Sequence, residues 1–470
     1  MKKTKSLSRL ILLLLLFLTG SNSYSQIANT ISATDKVFGL SKFWQEVNYN
    51  FVYLDKINRK SWDSTYKALI PQVQATKNDY EYYRLLEKFC ALLKDGHTNI
   101  TVPSIAGLNH MQNVFGDYLL VLKWVDNKVI IKRTWKKDLA KFPLGSEIIS
   151  VNGLPTAQYM RDSVACYISS STDYFKSDIA SQILLRGFPG STFAITIKKP
   201  NGEQASYSLT HARPTDSVFA PEAGTYLDEQ KRGLLDYKAL DNNIAYVALN
   251  SFTDAKIDTL FENLLPSLDK TKGIIIDLRN NGGGDDGIAF NIVKHFIKDS
   301  VLVGSSATFR RFNPYLQATG RYVKVADTAG HPDRRDAWLL YNGYSLYDEP
   351  GTLKSKVEKS IKRITAPVVI LTGSNTASAA EDFIIVTDNQ KHIVTIGEPT
   401  YGSSGMPYTF DLPGGGAAKV CVKRDTYPDG REFVGYGIQP HIKVVPTVKD
   451  YLENKDVILE AALKYFKERK

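Results

Sequence analysis

Cysteine is scarce in this chain. Cys90, Cys166 and Cys421 stand far apart, so one disulfide is the most the sequence allows, and no zinc-type Cys/His spacing is present. The three read as buried small hydrophobes. Long apolar runs are equally rare. The one at residues 10–18 is too short for a comfortable transmembrane span. There is no stripe of Lys and Arg interleaved with aromatics, which argues against nucleic acid as a partner. Internal repeats and low-complexity tracts are missing, and no cluster implies a metal or organic cofactor.

What is present begins with a basic start. Lys2, Lys3, Lys5 and Arg9 precede the apolar run, and Ser23 and Ser25 place small residues where a signal peptidase reads. Residues 1–25 are therefore expected to be a signal peptide, leaving Gln26 first. No cysteine follows to take a lipid. The protein is expected to be exported, to the periplasm or beyond, with no integral membrane span once the signal is removed. Removing the signal lowers the formal charge from +10 to about +6, a modest excess for 470 residues. A hydrophobic fraction of 43% with 23% charged residues is that of a folded soluble chain, and the length calls for two to three domains.

Apolar residues recur at helical spacing over residues 33–90, as in Val37, Leu40, Phe43 and Trp44. This predicts an N-terminal helical domain over 26–104, ending in the Asp95-Gly96 turn with His97 opening an extended segment. From 105 to 214 the texture is of short alternating strands, at 118–124, 128–133, 192–198 and 204–209. Within it, a Pro-Leu-Gly turn leads into Glu147-Ile148-Ile149-Ser150-Val151-Asn152-Gly153, which resembles the strand and hairpin of a PDZ domain. A PDZ-like domain adds a peptide as a strand and captures its terminal carboxylate on backbone amides. Phe115 and Gly116 are the residues expected to do this here, although a helical insertion at 158–185 alters the groove. A polar linker, 215–235, precedes the last domain, 236–470. There, buried strands alternate with helices, the mark of a layered α/β core. The stretch 308–351 shows no periodicity and reads as a lid or substrate-facing loop.

The chemistry gathers in that last domain. Pro367 to Leu371 is a buried strand, and Gly373 to Thr376 turn it into a helix that begins near Ser378. A serine at a helix N-terminus sits beside amides that lack intrahelical partners, so an oxyanion formed there is stabilised. Such a serine is also an ordinary capping residue. Asp277 to Gly284, DLRNNGGG, places glycines after another buried strand, where backbone amides can cradle an anion. It has neither GxGxxG spacing nor a phosphate-loop lysine.

Read together, these segments resemble the tail-specific, or C-terminal-processing, serine proteases, including their tricorn-like branch. The matching elements are the DGH turn, the PDZ-like segment, DLRxNxGG, TASAAE, GEPTYG and a final Gly-Ile-x-Pro, in the family's order over nearly the whole mature chain. The resemblance implies a multidomain α/β fold with a ClpP/crotonase-like catalytic core, and hydrolysis of peptide bonds in unstructured polypeptides through an acyl-enzyme on Ser378. The lysine that follows GEPTYG in the processing branch is replaced by Ser403. Serine needs an adjacent base, and the tricorn-like pattern assigns that role to His97, oriented by an acid upstream of Gly437-Ile438-Gln439-Pro440. Asp425, Asp429 and Glu432 are candidates, and Glu432 is the choice. Gly96 stands where that pattern can carry a serine. The resemblance further implies an oxyanion hole from the amides of Gly283 and Ala379.

Two other functions fit parts of the sequence. Non-catalytic ligand binding on the same scaffold would have no need of both His97 and Ser378. An acyl hydrolase or acyl-CoA enzyme suits the glycine loop, but not export or a PDZ-like domain.

Overall fold

Two apolar runs with no polar face, Gly273–Asp277 and Val368–Thr372, form the middle of a six-stranded sheet, and every residue in both is buried, as a strand covered on both sides requires. The computed structural model describes residues 27–214, 221–224 and 233–468. The expected signal peptide, and most of the linker, lie outside these.

The strand order is Leu235–Leu240, Ile244–Leu249, Gly273–Asp277, Val368–Thr372, Ile393–Gly397, Ile442–Lys443. The first pair is antiparallel and the others are parallel. Parallel neighbours need crossovers, which the helices Lys256–Leu268 and Ala379–Thr387 supply. Alternate residues serve opposite faces. Val247, Ile276 and Ile370 join a large core with Phe383, while Ile275, Val369 and Ile396 pack under the C-terminal helix Val457–Glu468 through Ile458 and Ala462.

Helices Ala33–Asn50, Arg59–Gln74 and Asp79–Ala91 begin at Ser32, Asn58 and Asn78, whose side chains each accept a first-turn amide. They stack Trp62 on Phe89 with ring centroids 3.8 Å apart. Their core is shared: Phe43 and Leu86 belong to the same apolar cluster as Val420 and Cys421. A three-residue strand, Asn99–Thr101, fastens them by pairing antiparallel with Gly416–Cys421.

The segment from 114 to 224 has a separate sheet, ordered Glu222–Gly224, Lys128–Trp135, Glu147–Val151, Thr192–Lys198, Gln204–Thr210. Its core includes Ile131, Phe142, Val151 and Ile195. The expected hairpin at Val151-Asn152-Gly153 is present, with Asn152 and Gly153 both at positive φ. The single strand expected at 118–124 is instead two pieces. Tyr118–Leu119 pairs with Val114–Phe115, and Val121–Val125 pairs with Lys128–Trp135 across a register shift.

Residues 308–351 are ordered secondary structure, not an irregular lid. Val301–Arg311 and Leu346–Lys356 form a long hairpin that carries the helices Pro314–Gly320 and Pro332–Tyr341 between them. Two register shifts interrupt the pairing, and a bulge erases the two-residue period that would have shown these strands. Among the described residues no helix is long and apolar enough to cross a membrane.

Candidate active site

The strand Val368–Thr372 ends at a turn that is locked from inside. Thr376 Oγ1 accepts the Gly373 N–H at 3.1 Å and donates to the Leu278 carbonyl at 2.9 Å. The Ala377 N–H donates to the Asn281 carbonyl at 3.0 Å. Ser378 follows at φ 54°, ψ −126°, a conformation that residues with a Cβ rarely adopt. Its N–H is held by the Ser403 carbonyl and by Glu381 Oε2, each at 3.1 Å. The helix Ala379–Thr387 starts immediately after it. The Ala379 N–H has no hydrogen-bond acceptor among the described residues, as expected of a first-turn amide. Gly283 lies against this corner at φ +91°, where a Cβ would come 2.7 Å from Ser378 Cβ and 3.0 Å from Ala379 N. Only glycine lets the two loops approach so closely. Gly283 donates its own N–H to Asn281 Oδ1 at 2.9 Å.

His97 comes from the opposite end of the chain. After helix Asp79–Ala91, Lys94 takes φ 52° and the buried Asp95 closes a turn by accepting Thr98 Oγ1 at 2.6 Å. Gly96 donates its N–H to Ser171 Oγ at 2.9 Å. A Cβ on Gly96 would fall on the Tyr401 hydroxyl and lie 2.9 Å from Ser403 Oγ, so glycine here makes room for the neighbours of His97. The ring lies with Nε2 3.3 Å from Ser378 Oγ and Nδ1 2.6 Å from Ser403 Oγ. Burial lowers the His97 pKa, against the opposing pull of Asp95 and then Asp425. With the proton on Nδ1 and donated to Ser403, Nε2 presents its lone pair to the Ser378 hydroxyl, the geometry a general base needs.

The sequence marks Ser403 only as the residue standing in for a lysine, and nothing in it singles out Glu381 as a site residue. Glu381 is fully buried. Its Oε1 accepts from Thr400 Oγ1 and the Gly402 N–H, and its Oε2 from the Ser403 N–H (3.0 Å) and the Ser378 N–H. Burial pushes its pKa up to about 7 against these donors. One carboxyl group thus ties the serine helix to the loop that orients His97. The available signal was the Ser-x-x-Glu spacing at a helix start, a capping-box pattern.

Beneath this loop lies a buried charge cluster. Asp425 Oδ1 pairs with Lys423 Nζ at 3.2 Å, and Asp382 Oδ2 accepts from Ser404 Oγ at 3.2 Å. Burial, then Asp425, raise Asp382 to about 7. Burial also raises Asp425, with Lys423 opposing. Lys423 ends above its usual range, because Asp425 and Asp382 outweigh the effect of burial. It stays charged at neutral pH and is unsuited to act as a base.

The remaining expectations fare differently. Glu432 is not brought to His97. It pairs with Lys56 at 3.3 Å on the surface, with its side chain 45% exposed. Asp429 is likewise external, paired with Arg431. Of the three acids considered, Asp425 alone is buried and acts electrostatically on His97. At the expected peptide site, the Phe115 ring stacks on His211 with centroids 4.3 Å apart, inside the β-domain. The Gly116 N–H is donated to the Ala212 carbonyl at 3.0 Å. That amide is engaged by the domain's own chain, so the turn does not present it to a carboxylate.

Residues 243–444 match the model of Peptidase family S41. The chain is 24% identical over 328 residues to the carboxy-terminal processing protease CtpB of Bacillus subtilis, covering 68% of this chain and 53% of that protein. It is 22% identical over 439 residues to a carboxyl-terminal-processing protease of Picosynechococcus, covering 90% and 86%. A chloroplastic C-terminal processing peptidase of Tetradesmus obliquus is matched over 48% of its length, so the chain spans about half of two of these curated relatives. Among solved structures, mature CPAF complexed with lactacystin superposes with a TM-score of 0.63 at 12% identity, covering 93% of this chain and 98% of that one. A structure from Parabacteroides merdae gives a TM-score of 0.51 at 19% identity, covering 93% and 96%. These structures share the fold.

Proposed function

From the match of residues 243–444 to the model of Peptidase family S41, we propose that this chain is an exported serine endopeptidase that hydrolyses peptide bonds of unstructured polypeptides. Ser378 is the nucleophile and His97 the general base. The observation that carries the reading is the 3.3 Å approach of His97 Nε2 to Ser378 Oγ across 281 residues of sequence, at the start of a helix.

The steps follow from the geometry. Nε2 takes the hydroxyl proton as Ser378 Oγ attacks the carbonyl carbon. The Ala379 N–H and the helix N-terminus face the oxyanion, whereas the Gly283 N–H, expected as a second donor, is taken up by Asn281 Oδ1. The imidazolium then gives its proton to the leaving amine, and water repeats the sequence on the acyl-enzyme. Ser403 holds Nδ1, while Asp95 and Asp425 offset the positive charge. This Ser-His arrangement with no lysine base is our reason for placing the chain with the tricorn-like branch. We divide it as a signal peptide at 1–25, helices at 26–104, a PDZ-like domain at 105–214, a linker at 215–235 and the catalytic domain at 236–470.

A fluorophosphonate probe tests the assignment. It should label the wild type and leave Ser378→Ala unlabelled, with peptide hydrolysis lost and folding intact. Labelling at another serine, or hydrolysis surviving in the variant, would overturn the reading.

A further inference from the structure

A cavity of about 510 Å³ lies away from Ser378, between helix Asp79–Ala91 and the β-domain. Its lining is mixed: polar groups stand beside an apolar portion in which Val102, Leu108 and Ile183 are half-buried. One wall is a packed trio, with His110 4.8 Å from Phe188 and 5.2 Å from Tyr80 between ring centroids. Two arginines are part of the lining.

Arg84 lies flat over Tyr167, 3.4 Å from the ring centroid, and donates to Glu87 Oε2 at 2.6 Å. Arg186 donates to His110 Nδ1 at 2.8 Å and has no ion pair among the described residues. The imidazole nitrogen accepts that bond and so is unprotonated. His110 is held down to about 4 by burial and then by Arg186 and Arg84. The lining therefore carries two guanidinium groups against one carboxylate, Glu87, a net single positive charge beside the half-buried side chains of Val102, Leu108 and Ile183. An anion of higher charge would meet Glu87, and a neutral ligand would leave Arg186 unused. A guanidinium presents several fixed donors, only some of which are taken here, and its fork matches a carboxylate.

We propose that this cavity is a binding site for a monocarboxylate with an apolar body, its carboxylate between Arg84 and Arg186 and its apolar part against Leu108 and Ile183. The ligand is either the free end of a polypeptide or a free organic acid. The site stands whether or not the chain hydrolyses peptides, because it is tested in a variant lacking the proposed nucleophile.

The experiment is titration calorimetry on full-length Ser378→Ala with three probes: an unstructured peptide ending in leucine with a free carboxylate, the same peptide amidated, and decanoate. Loss of a charge-assisted contact predicts at least about tenfold weaker binding of the amide than of the acid. Arg186→Gln, at an exposed position with no ion pair among the described residues, should fold normally and remove most of that preference. Binding of decanoate assigns the site to free acids, and binding of the peptide acid alone assigns it to chain ends. Equal binding of acid and amide, with decanoate not bound, would overturn the proposal. So would an acid affinity unchanged in Arg186→Gln, or no binding by any probe.

Discussion

His97 Nδ1 lies 2.6 Å from Ser403 Oγ, so the imidazole is oriented by a hydroxyl and not by a carboxylate. A hydroxyl fixes the ring but carries no charge. Electrostatic support for an imidazolium must come from Asp95 and Asp425, which act on His97 without accepting from Nδ1. The expected effects of mutation follow from this separation of orientation and charge.

Ser403→Ala should leave the protein folded and lower kcat with little change in KM. A hydrogen bond to a group that becomes charged is worth roughly 1.5–3 kcal/mol, or about 10- to 100-fold in rate. Steady-state kinetics on a fluorogenic peptide checks this. A change confined to KM would mean that Ser403 contacts substrate and does not orient the ring.

The pH profile reports His97 directly. A general base must be unprotonated, and burial disfavours the imidazolium, so the rising limb of kcat/KM should be centred below the ordinary 6.5. Asp425 raises the His97 pKa and Lys423 lowers it. Asp425→Asn removes the first and leaves the second, opposed by Asp95 alone, so the limb should move to still lower pH. A shift upward would show that Asp425 does not act on His97 through its charge.

Glu432→Gln should leave activity unchanged. The side chain is half exposed and its ion pair with Lys56 spans 3.3 Å on the surface, where such pairs contribute little. A loss of about tenfold or more, on the scale of removing a group that orients the base, would return the orienting role to Glu432.

Asp382 should make stability fall as pH rises. In the fold its pKa is about 7, against an ordinary 3.8, so the native state holds its proton more tightly than the unfolded chain does. The destabilisation is absent below the unfolded value, grows between the two, and is complete above about 7. Thermal unfolding across pH 5 to 8, roughly the window in which the folded group ionises, should show a steeper decline for wild type than for Asp382→Asn. Equal slopes would mean that Lys423 already compensates the ionised pair.

The parts of the site that are local in sequence were legible. A proline-bounded apolar strand, a glycine turn and small residues mark Ser378, and an Asp-Gly turn marks His97. What was not legible depends on where strands bring residues together. Glu432 and Asp425 differ little as letters near a hairpin. One lies on a strand, Lys423–Thr426, paired with Val301–Arg311 over the core, and the other on an exposed loop. Ser403 gains its meaning only from a histidine 306 residues away. The turn at Phe115 and Gly116 has the expected glycine at positive φ, but pairing within its own domain occupies the Gly116 amide, and no local pattern foretells that. In the hairpin Val301–Arg311 with Leu346–Lys356, bulges hid strands that regular alternation would have revealed.

The strand Asn99–Thr101 pairs with Gly416–Cys421, and this governs when the proposed site is assembled. A chain emerging N-terminus first presents His97 early and Ser378 late, and the strand that fastens the histidine segment comes later still. The two halves of the site meet only through contacts of very long sequence separation, which form slowly because loop closure precedes their reward. An unfinished or unfolded copy therefore carries an unpaired serine and an unpaired imidazole, and is chemically inert.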